Sequence, residues 1–262
     1  ISYHIDEYIV KINGNQIFKE YKKALYESSG PNLKRYDEIS HLEFNNFYDE
    51  QGNLLAWMWF GLSRFERQIP PKENPMRGLR LRQGNIQVGN DSVLRDFFKD
   101  YSRGNYYFVG EVFAVTKDLI PNSQRDYFNE NPVRVAFENV LRAYFFDTLH
   151  KLYYEANKIK NAYKHQLTYL NRVSEFDEKS KNNLFIDEED KQKLQIAIKD
   201  AHEKAQKASK QLNKLNTIEQ DSAIGKISAS ISKKFNSSKL KKQVEKTSIP
   251  QDDDTSKKKK PY

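Results

Sequence analysis

The chain has 262 residues, 31% of them charged and 37% apolar, with a formal net charge of +8. A length of this order allows one or two domains, and the absence of Cys excludes a disulfide framework and cysteine-ligated zinc and leans towards a reducing compartment. No stretch reaches the ~18 consecutive apolar residues of a membrane span, and no basic-then-apolar signal opens the chain, so a soluble, cytoplasmic protein is expected.

The charge is unevenly placed. Between Asp221 and Tyr262 eleven lysines stand against five acids, which accounts for six of the eight excess charges. The aromatic-rich body is therefore close to balance, and a generally basic, nucleic-acid-coating fold is not indicated.

Residues 1–131 read as a mixed α and β domain. The sequence opens on Ile1 straight into strand-like alternation, from which we expect a missing upstream part. Tyr8-Ile9-Val10-Lys11-Ile12 runs as a strand into a turn at Asn13-Gly14. Ile39–Phe44 alternates, Glu50-Gln51-Gly52-Asn53 turns the chain, and Leu54–Phe60 is apolar on both faces, as a central strand should be. Pro70, Pro71 and Pro75 mark a loop. Two short runs, Leu79–Arg82 and Asn85–Val88, flank Gly84. Arg77, Arg80 and Arg82 lie around the first run, Arg80 and Arg82 on a face opposite Leu79 and Leu81; a solvated edge is expected ahead of a phosphate or nucleic-acid contact. Trp57 and Trp59 share a strand face expected to be core rather than a base-stacking platform. Asp91 is placed to cap a short helix through Val93, Leu94, Phe97 and Phe98. Tyr106–Val115 is the last clear strand.

Asn131-Pro132 opens a long helix, with Asn at the cap and Pro in the first turn. Its apolar positions, Val133, Phe137, Val140, Leu141, Tyr144, Phe145, Thr148, Leu149 and Leu152, recur at three and four residues, a stripe suited to packing on a sheet. This helix is assigned to 132–175, with continuation through Ile159, Tyr163, Leu167 and Leu170. Residues 187–220 form a second helix with an acidic start at Asp187–Asp190. Leu194, Ile198, Ala201, Ala205, Ala208, Leu212 and Leu215 give it a narrow heptad seam. That seam suits either an antiparallel hairpin onto the preceding helix or a coiled coil between two chains. Residues 221–262 read as a basic tail, largely disordered, and from Ser237 onward Lys, Ser, Asp and Pro dominate.

One stretch carries a resemblance. Asp118-Leu119-Ile120-Pro121-Asn122-Ser123-Gln124-Arg125-Asp126 resembles the Asp-Leu-Pro-Leu-Asn-x-Ser-Arg-Glu segment in the middle domain of HtpG-type heat-shock chaperones. There too it follows a strand and precedes a helix. Asp118, Leu119, Asn122 and Arg125 match without a gap, and Asp126 stands where the family has Glu. The pattern Gly78-Leu79-Arg80-Leu81-Arg82-x-Gly84-Asn85-Ile86-x-Val88-Gly89, with Val109-Gly110-Glu111, looks like a bacterial branch of chaperone-like ATPases. These belong to the wider class of gyrase, chaperones, histidine kinases and MutL. The resemblance covers roughly residues 1–150.

What the resemblance implies is an α+β transducer-like domain, a mixed sheet with packed helices, followed by long helices or a coiled coil and a disordered basic tail. It implies that Arg125 reaches the γ-phosphate of ATP in an upstream nucleotide domain, with Asn122 orienting the loop as its catalytic companion. The family's Gln four residues after the Arg is here the shorter Asn129, a further nucleotide contact. A guanidinium suits the first role, being always charged and presenting a planar fork of donors to phosphate oxygens. On the residues alone, Arg125 can equally pair with Asp126 or Glu130 and cap the next helix.

The family's nucleotide domain needs a catalytic Glu and magnesium-binding Asn on one helix, an Asp-x-Gly-x-Gly segment and a Gly-rich lid. None of these occurs here, and Gly84–Gly89 is followed by no Lys-Ser/Thr of a phosphate loop. ATP and Mg are thus expected to be held by a domain outside this chain, in cis or in trans, and no ATPase activity is expected from the chain alone. The five His residues are scattered and imply no metal site. Homodimerisation through the helices is a further expectation, and the client is left open. The rival reading is a non-enzymatic scaffold or nucleic-acid-binding protein that uses its helices and the Lys257–Lys260 run.

Overall fold

The computed structural model describes residues 10–17, 21–215 and 217–250. The chain divides into two units, Ile1–Asn157 with Gln220–Ser230, and Lys158–Glu219 with Ile231–Tyr262.

Among the described residues the first unit carries nine strands. β1 (Val10–Ile12) and β2 (Asn15–Ile17) form an antiparallel hairpin, turned by Asn13 and Gly14 at φ of 50° and 81°. Positive φ at both central residues matches the strand twist, which is why Asn-Gly serves there. A second hairpin, β3 (Ala24–Ser29) with β4 (Asn32–Glu38), has no counterpart in the sequence reading. The remaining strands are β5 (His41–Tyr48), β6 (Leu54–Leu62), β7 (Gly78–Gln83), β8 (Ile86–Val88) and β9 (Val109–Ala114). They form one mixed sheet in the order β5-β6-β9-β7-β8. β9 runs antiparallel to β6 and parallel to β7. All six of its residues are buried, as a strand flanked on both sides and covered on both faces must be.

A parallel neighbour requires a crossover. Here it consists of two 3-10 segments within Arg95–Tyr107, broken at Lys99 (φ 52°, ψ −129°). The expected α-helix there is not formed, and the turn before it is held by Asn90, whose Oδ1 accepts from the Ser92 backbone N–H, in place of Asp91. Asn105, fully buried, fastens the crossover to the sheet: its Oδ1 accepts from the Leu79 N–H (3.1 Å) and its Nδ2 donates to the Asp91 carbonyl (2.8 Å).

Helix α1 (Pro132–Tyr144) starts at Asn131, whose side chain accepts from the Arg134 N–H. It passes through a π turn (Phe145–Leu149) into α2 (His150–Lys181) without interruption. The buried residues Phe137, Leu141, Phe145 and Leu149 are spaced by four. A straight α-helix of period 3.6 would carry the later ones off the face, and one wider turn brings them back. Between sheet and helix lies an aromatic core: Phe60 and Phe98 pack on Phe108 at 5.8 and 6.2 Å, and Phe98 packs on Phe145 at 5.0 Å between ring centroids.

Two further expectations about this unit are corrected. Arg82 is not on a solvated edge. β8 covers the outer side of β7, and Arg82 pairs with the buried Glu111 carboxylate, which also accepts from Trp59 Nε1 at 3.3 Å. Nor is all of 221–262 a tail. α4 (Ala223–Phe235) begins against the first unit, where Ile227 is buried and Lys226 pairs with Glu43 at 2.8 Å.

In the second unit α3 (Glu188–Leu215) runs back along α2. Lys179 meets Asp190 (3.4 Å), Arg172 donates to the Ala197 carbonyl (2.6 Å), and Gln166 donates to Ser209 (2.9 Å), so contacts climb one helix as they descend the other. The seam residues Ile198, Ala201 and Ala205 pack in one cluster with Tyr169, Val173 and Phe176 of α2. The seam is thus occupied within the chain as a hairpin, and Ala in it lets the two backbones approach. Ser237 onward, read as disordered, instead forms α5 (Ser237–Lys246), with Leu240 buried and Val244 against the same cluster. Ile249 joins Val244 on that cluster and the Tyr169 hydroxyl donates to the Thr247 carbonyl (2.9 Å), yet the surrounding lysines mask these apolar positions in any compositional reading. The Lys257–Lys260 run and the strand residues before Val10 lie outside the described residues.

Because Ala205 is fully buried in the hairpin, Ala205→Leu is expected to lower unfolding free energy by about 1–3 kcal/mol through overpacking. Urea denaturation followed by circular dichroism measures this. A gain in stability that grows with protein concentration would place the seam between chains instead.

Candidate functional site

The resemblance segment leaves the end of β9 and folds into a narrow loop. Pro121 bridges Phe128, the Asn122 N–H donates to the Tyr127 carbonyl (2.8 Å), and the Asn129 N–H donates to the Ile120 carbonyl (2.9 Å). At the tip the Arg125 N–H donates back to the Asn122 carbonyl at 2.9 Å, closing a turn in which Arg125 takes φ of 54°. Asn122 locks that turn from the side. Its Nδ2 donates to Asp126 Oδ1 (2.5 Å), and its Oδ1 accepts from the Asp126 N–H (3.2 Å). Asx side chains stabilise turns in this way because they mimic a backbone hydrogen-bonding group.

The loop is anchored on both sides. Towards the sheet, Gln83 Nε2 donates to the Leu119 carbonyl (2.7 Å), and the Gly89 N–H donates to the Arg125 carbonyl (2.8 Å). Towards α1, buried Phe128 meets Phe137 edge-on at 5.7 Å, and Asn131 Nδ2 donates to the Asp118 carbonyl (2.8 Å). Arg134 donates to the Phe128 carbonyl (2.9 Å), pairs with Glu138 (2.8 Å), and lies over the Tyr127 ring at 4.8 Å. Burial, reinforced by the Glu138 carboxylate, holds the Tyr127 phenol above the ordinary tyrosine range, so it stays neutral at physiological pH.

Against these fixed groups the Arg125 side chain stands out. It is exposed and makes no ion pair or side-chain hydrogen bond among the described residues. The two acids weighed as its partners are engaged elsewhere: Asp126 with Asn122, and Glu130 with Arg134 at 4.0 Å. Arg125 and Asn122 line a cavity of about 260 Å³ with Gln83, Ile86, Gln87, Val88 and Pro121. Asn129 does not line it; it sits at the base of the loop, beside Ile120. Four of the lining residues, Gln83, Ile86, Gln87 and Val88, come from the β7–β8 hairpin, and Gly89 just after it bonds the Arg125 carbonyl. Gly89 belongs to the Gly78–Gly89 pattern, but its role at the Arg125 turn, like that of Gln83, is not written locally, because Gln83 reaches Leu119 and Gly89 reaches Arg125, each 36 residues away.

Chemically the arrangement offers a guanidinium without an acid partner among the described residues, beside a small cavity whose lining mixes Gln83, Gln87 and Asn122 with the apolar Ile86, Val88 and Pro121. The guanidinium suits an anion with several oxygens. Among the described residues no group of three or more His, Asp or Glu side chains is gathered to hold a metal ion. No family model, curated protein or solved structure matches the chain.

Asn122→Ala removes both side-chain bonds to Asp126, and is expected to cost about 1 kcal/mol of stability. It should also speed amide exchange at Asp126, whose N–H loses its acceptor. Exchange at Asp126 equal to that of the unaltered chain would show that the clamp is not formed in solution.

Proposed function

We propose that the first unit is the middle, transducer segment of a chaperone-like ATPase. In this reading Arg125 contacts the γ-phosphate of ATP held in an upstream nucleotide domain, and nucleotide state is passed to the helical C-terminal part. The observation that carries it is the Arg125 guanidinium itself, exposed, without an acid partner among the described residues, and mounted on a turn fastened at both sides. An arginine that merely capped a helix or neutralised a neighbour would be expected to touch Asp126 or Glu130, and among the described residues the Arg125 side chain pairs with neither.

The residues fit a triphosphate in one respect, the unpaired planar fork of donors. ATP and Mg, supplied by the nucleotide domain, bring the transferable phosphoryl group and its charge neutralisation. This chain's part is to hold a positive charge where negative charge develops on the terminal phosphate, as arginine fingers do. Asn122 acts on the backbone of the turn, through Asp126, to keep the guanidinium aimed. Little reorganisation is then left for the moment of reaction.

The test is ATP turnover by the nucleotide domain, joined to this chain or mixed with it. Arg125→Ala is expected to lower kcat on the order of tenfold or more, with the thermal midpoint little changed because the exposed side chain makes no ion pair or hydrogen bond among the described residues. Arg125→Lys should recover only part of the loss, since the charge returns without the fork. Turnover indifferent to both substitutions would refute the phosphate contact.

A further inference from the structure

We propose that Gly89 is the positioning residue for Arg125: it sets the depth at which the Arg125 turn seats against the β7–β8 hairpin. The proposal rests on the γ-phosphate reading of Arg125 for its consequence in turnover, but not for its structural content.

Gly89 follows β8 directly and has φ of 68°, a conformation that L side chains rarely adopt. Its N–H donates to the Arg125 carbonyl at 2.8 Å. Its own carbonyl accepts from Gln87 Nε2 (3.0 Å), and Gln87 Oε1 accepts from Arg80 (3.2 Å), so the donor is itself held from the sheet. The Gly89 side facing the loop is in close contact with it. A Cβ there would lie 2.7 Å from the Asp126 carbonyl oxygen and 2.9 Å from Val93 Cγ2. Asp126 is the residue that Asn122 clamps. Carbon-to-oxygen contacts so short are not tolerated, so a methyl group at 89 must push the Arg125–Asp126 backbone outward or tear the hydrogen bond. Either movement carries the guanidinium with it.

Gly84 supplies an internal control in the same hairpin. It too has positive φ, 55°, but a Cβ on it meets nothing within 4 Å. Gly84→Ala therefore introduces comparable backbone strain with no push on the Arg125 turn. The two alanine variants separate a general loss of stability from a specific displacement.

The experiment compares Gly89→Ala, Gly84→Ala, Arg125→Ala and the Gly89→Ala/Arg125→Ala double variant. Each is measured for thermal midpoint, amide exchange, and kcat and KM for ATP with the nucleotide domain present. Gly89→Ala is expected to speed exchange at Asn122, Arg125 and Asp126, and to lower kcat on the order of tenfold with KM within about twofold, as misplacement of a catalytic group by a fraction of an ångström does. Gly84→Ala should leave exchange in the 122–126 turn and kcat unchanged at a similar loss of thermal midpoint. The double variant should be no worse than Arg125→Ala, because both act through one group. The proposal is overturned by unchanged exchange in the turn, by equal kcat for the two glycine variants, or by additive losses in the double variant. If Arg125→Ala itself leaves kcat intact, the γ-phosphate reading fails and with it any catalytic role for Gly89, while the exchange data alone still decide whether Gly89 seats the turn.

Discussion

The first unit depends on the burial of β9 between an antiparallel and a parallel neighbour. Every residue from Val109 to Ala114 is inside, and at Gly110 the backbone passes so close to the Trp59 carbonyl that no side chain would fit. A strand in this position has no free face and no free edge. It fixes β6 and β7 on either side, and the parallel pairing with β7 obliges the chain to cross over through Arg95–Tyr107. That crossover brings Phe97 and Phe98 into the core, and both rings pack on Phe145 at the start of the π turn of the long helix.

The candidate site inherits its rigidity from the same strand. The Arg125 loop starts just past the end of β9, where the backbone has no freedom, and finishes at the Asn131 cap of α1. Both ends are thus given by elements of the core, and Gln83 and Gly89 of the adjoining hairpin hold the middle. The sheet also hosts a buried charge pair, Arg82 with Glu111, on neighbouring strands β7 and β9. Opposite charges across a strand pair cancel, and the Trp59 indole N–H adds a further donor to the carboxylate. Removing either partner alone would leave a charge in the interior, which costs far more than the pair is worth. Arg82 and Arg125 therefore do opposite things: one arginine is spent on the fold, the other is withheld from it.

Local patterns made much of this legible. The strands β5 to β9 follow from alternation and turn residues, and the Asn131-Pro132 start from capping chemistry, because those signals are contained within a few residues. The β3–β4 hairpin escaped because its strands carry mixed polar residues on both faces, with Leu33 largely exposed. Arg82 was misplaced because an alternating run says which residues share a face, but not which strand will cover that face or edge. The docking of α5 was hidden in lysines, and the choice between hairpin and coiled coil was undetermined because both bury the same heptad seam. At the site, Arg125 and Asn122 were picked out through a local motif, whereas Gln83 and Gly89 act across 36 residues of chain. Proximity of that kind is a property of the sheet order, not of the segment.

Backbone strain gives the Arg125 assignment its physical weight. Among the described residues six that are not glycine have positive φ: Asn13, Phe65, Lys99, Arg125, Asn183 and Asn236. Three are Asn, which tolerates this region through local hydrogen bonds. Phe65 is repaid by burial against Phe108, and Lys99 by its ammonium lying 4.1 Å over the Phe146 ring. Arg125 has no such return from its own side chain. A left-handed conformation at a side chain of this kind costs about 1–2 kcal/mol, and here it is sustained by Asn122, Gly89 and the loop ladder acting on the main chain alone. Strain held in place by surrounding contacts, around a side chain that forms no ion pair or hydrogen bond among the described residues, is the pattern expected where a residue is aimed at something other than its own fold.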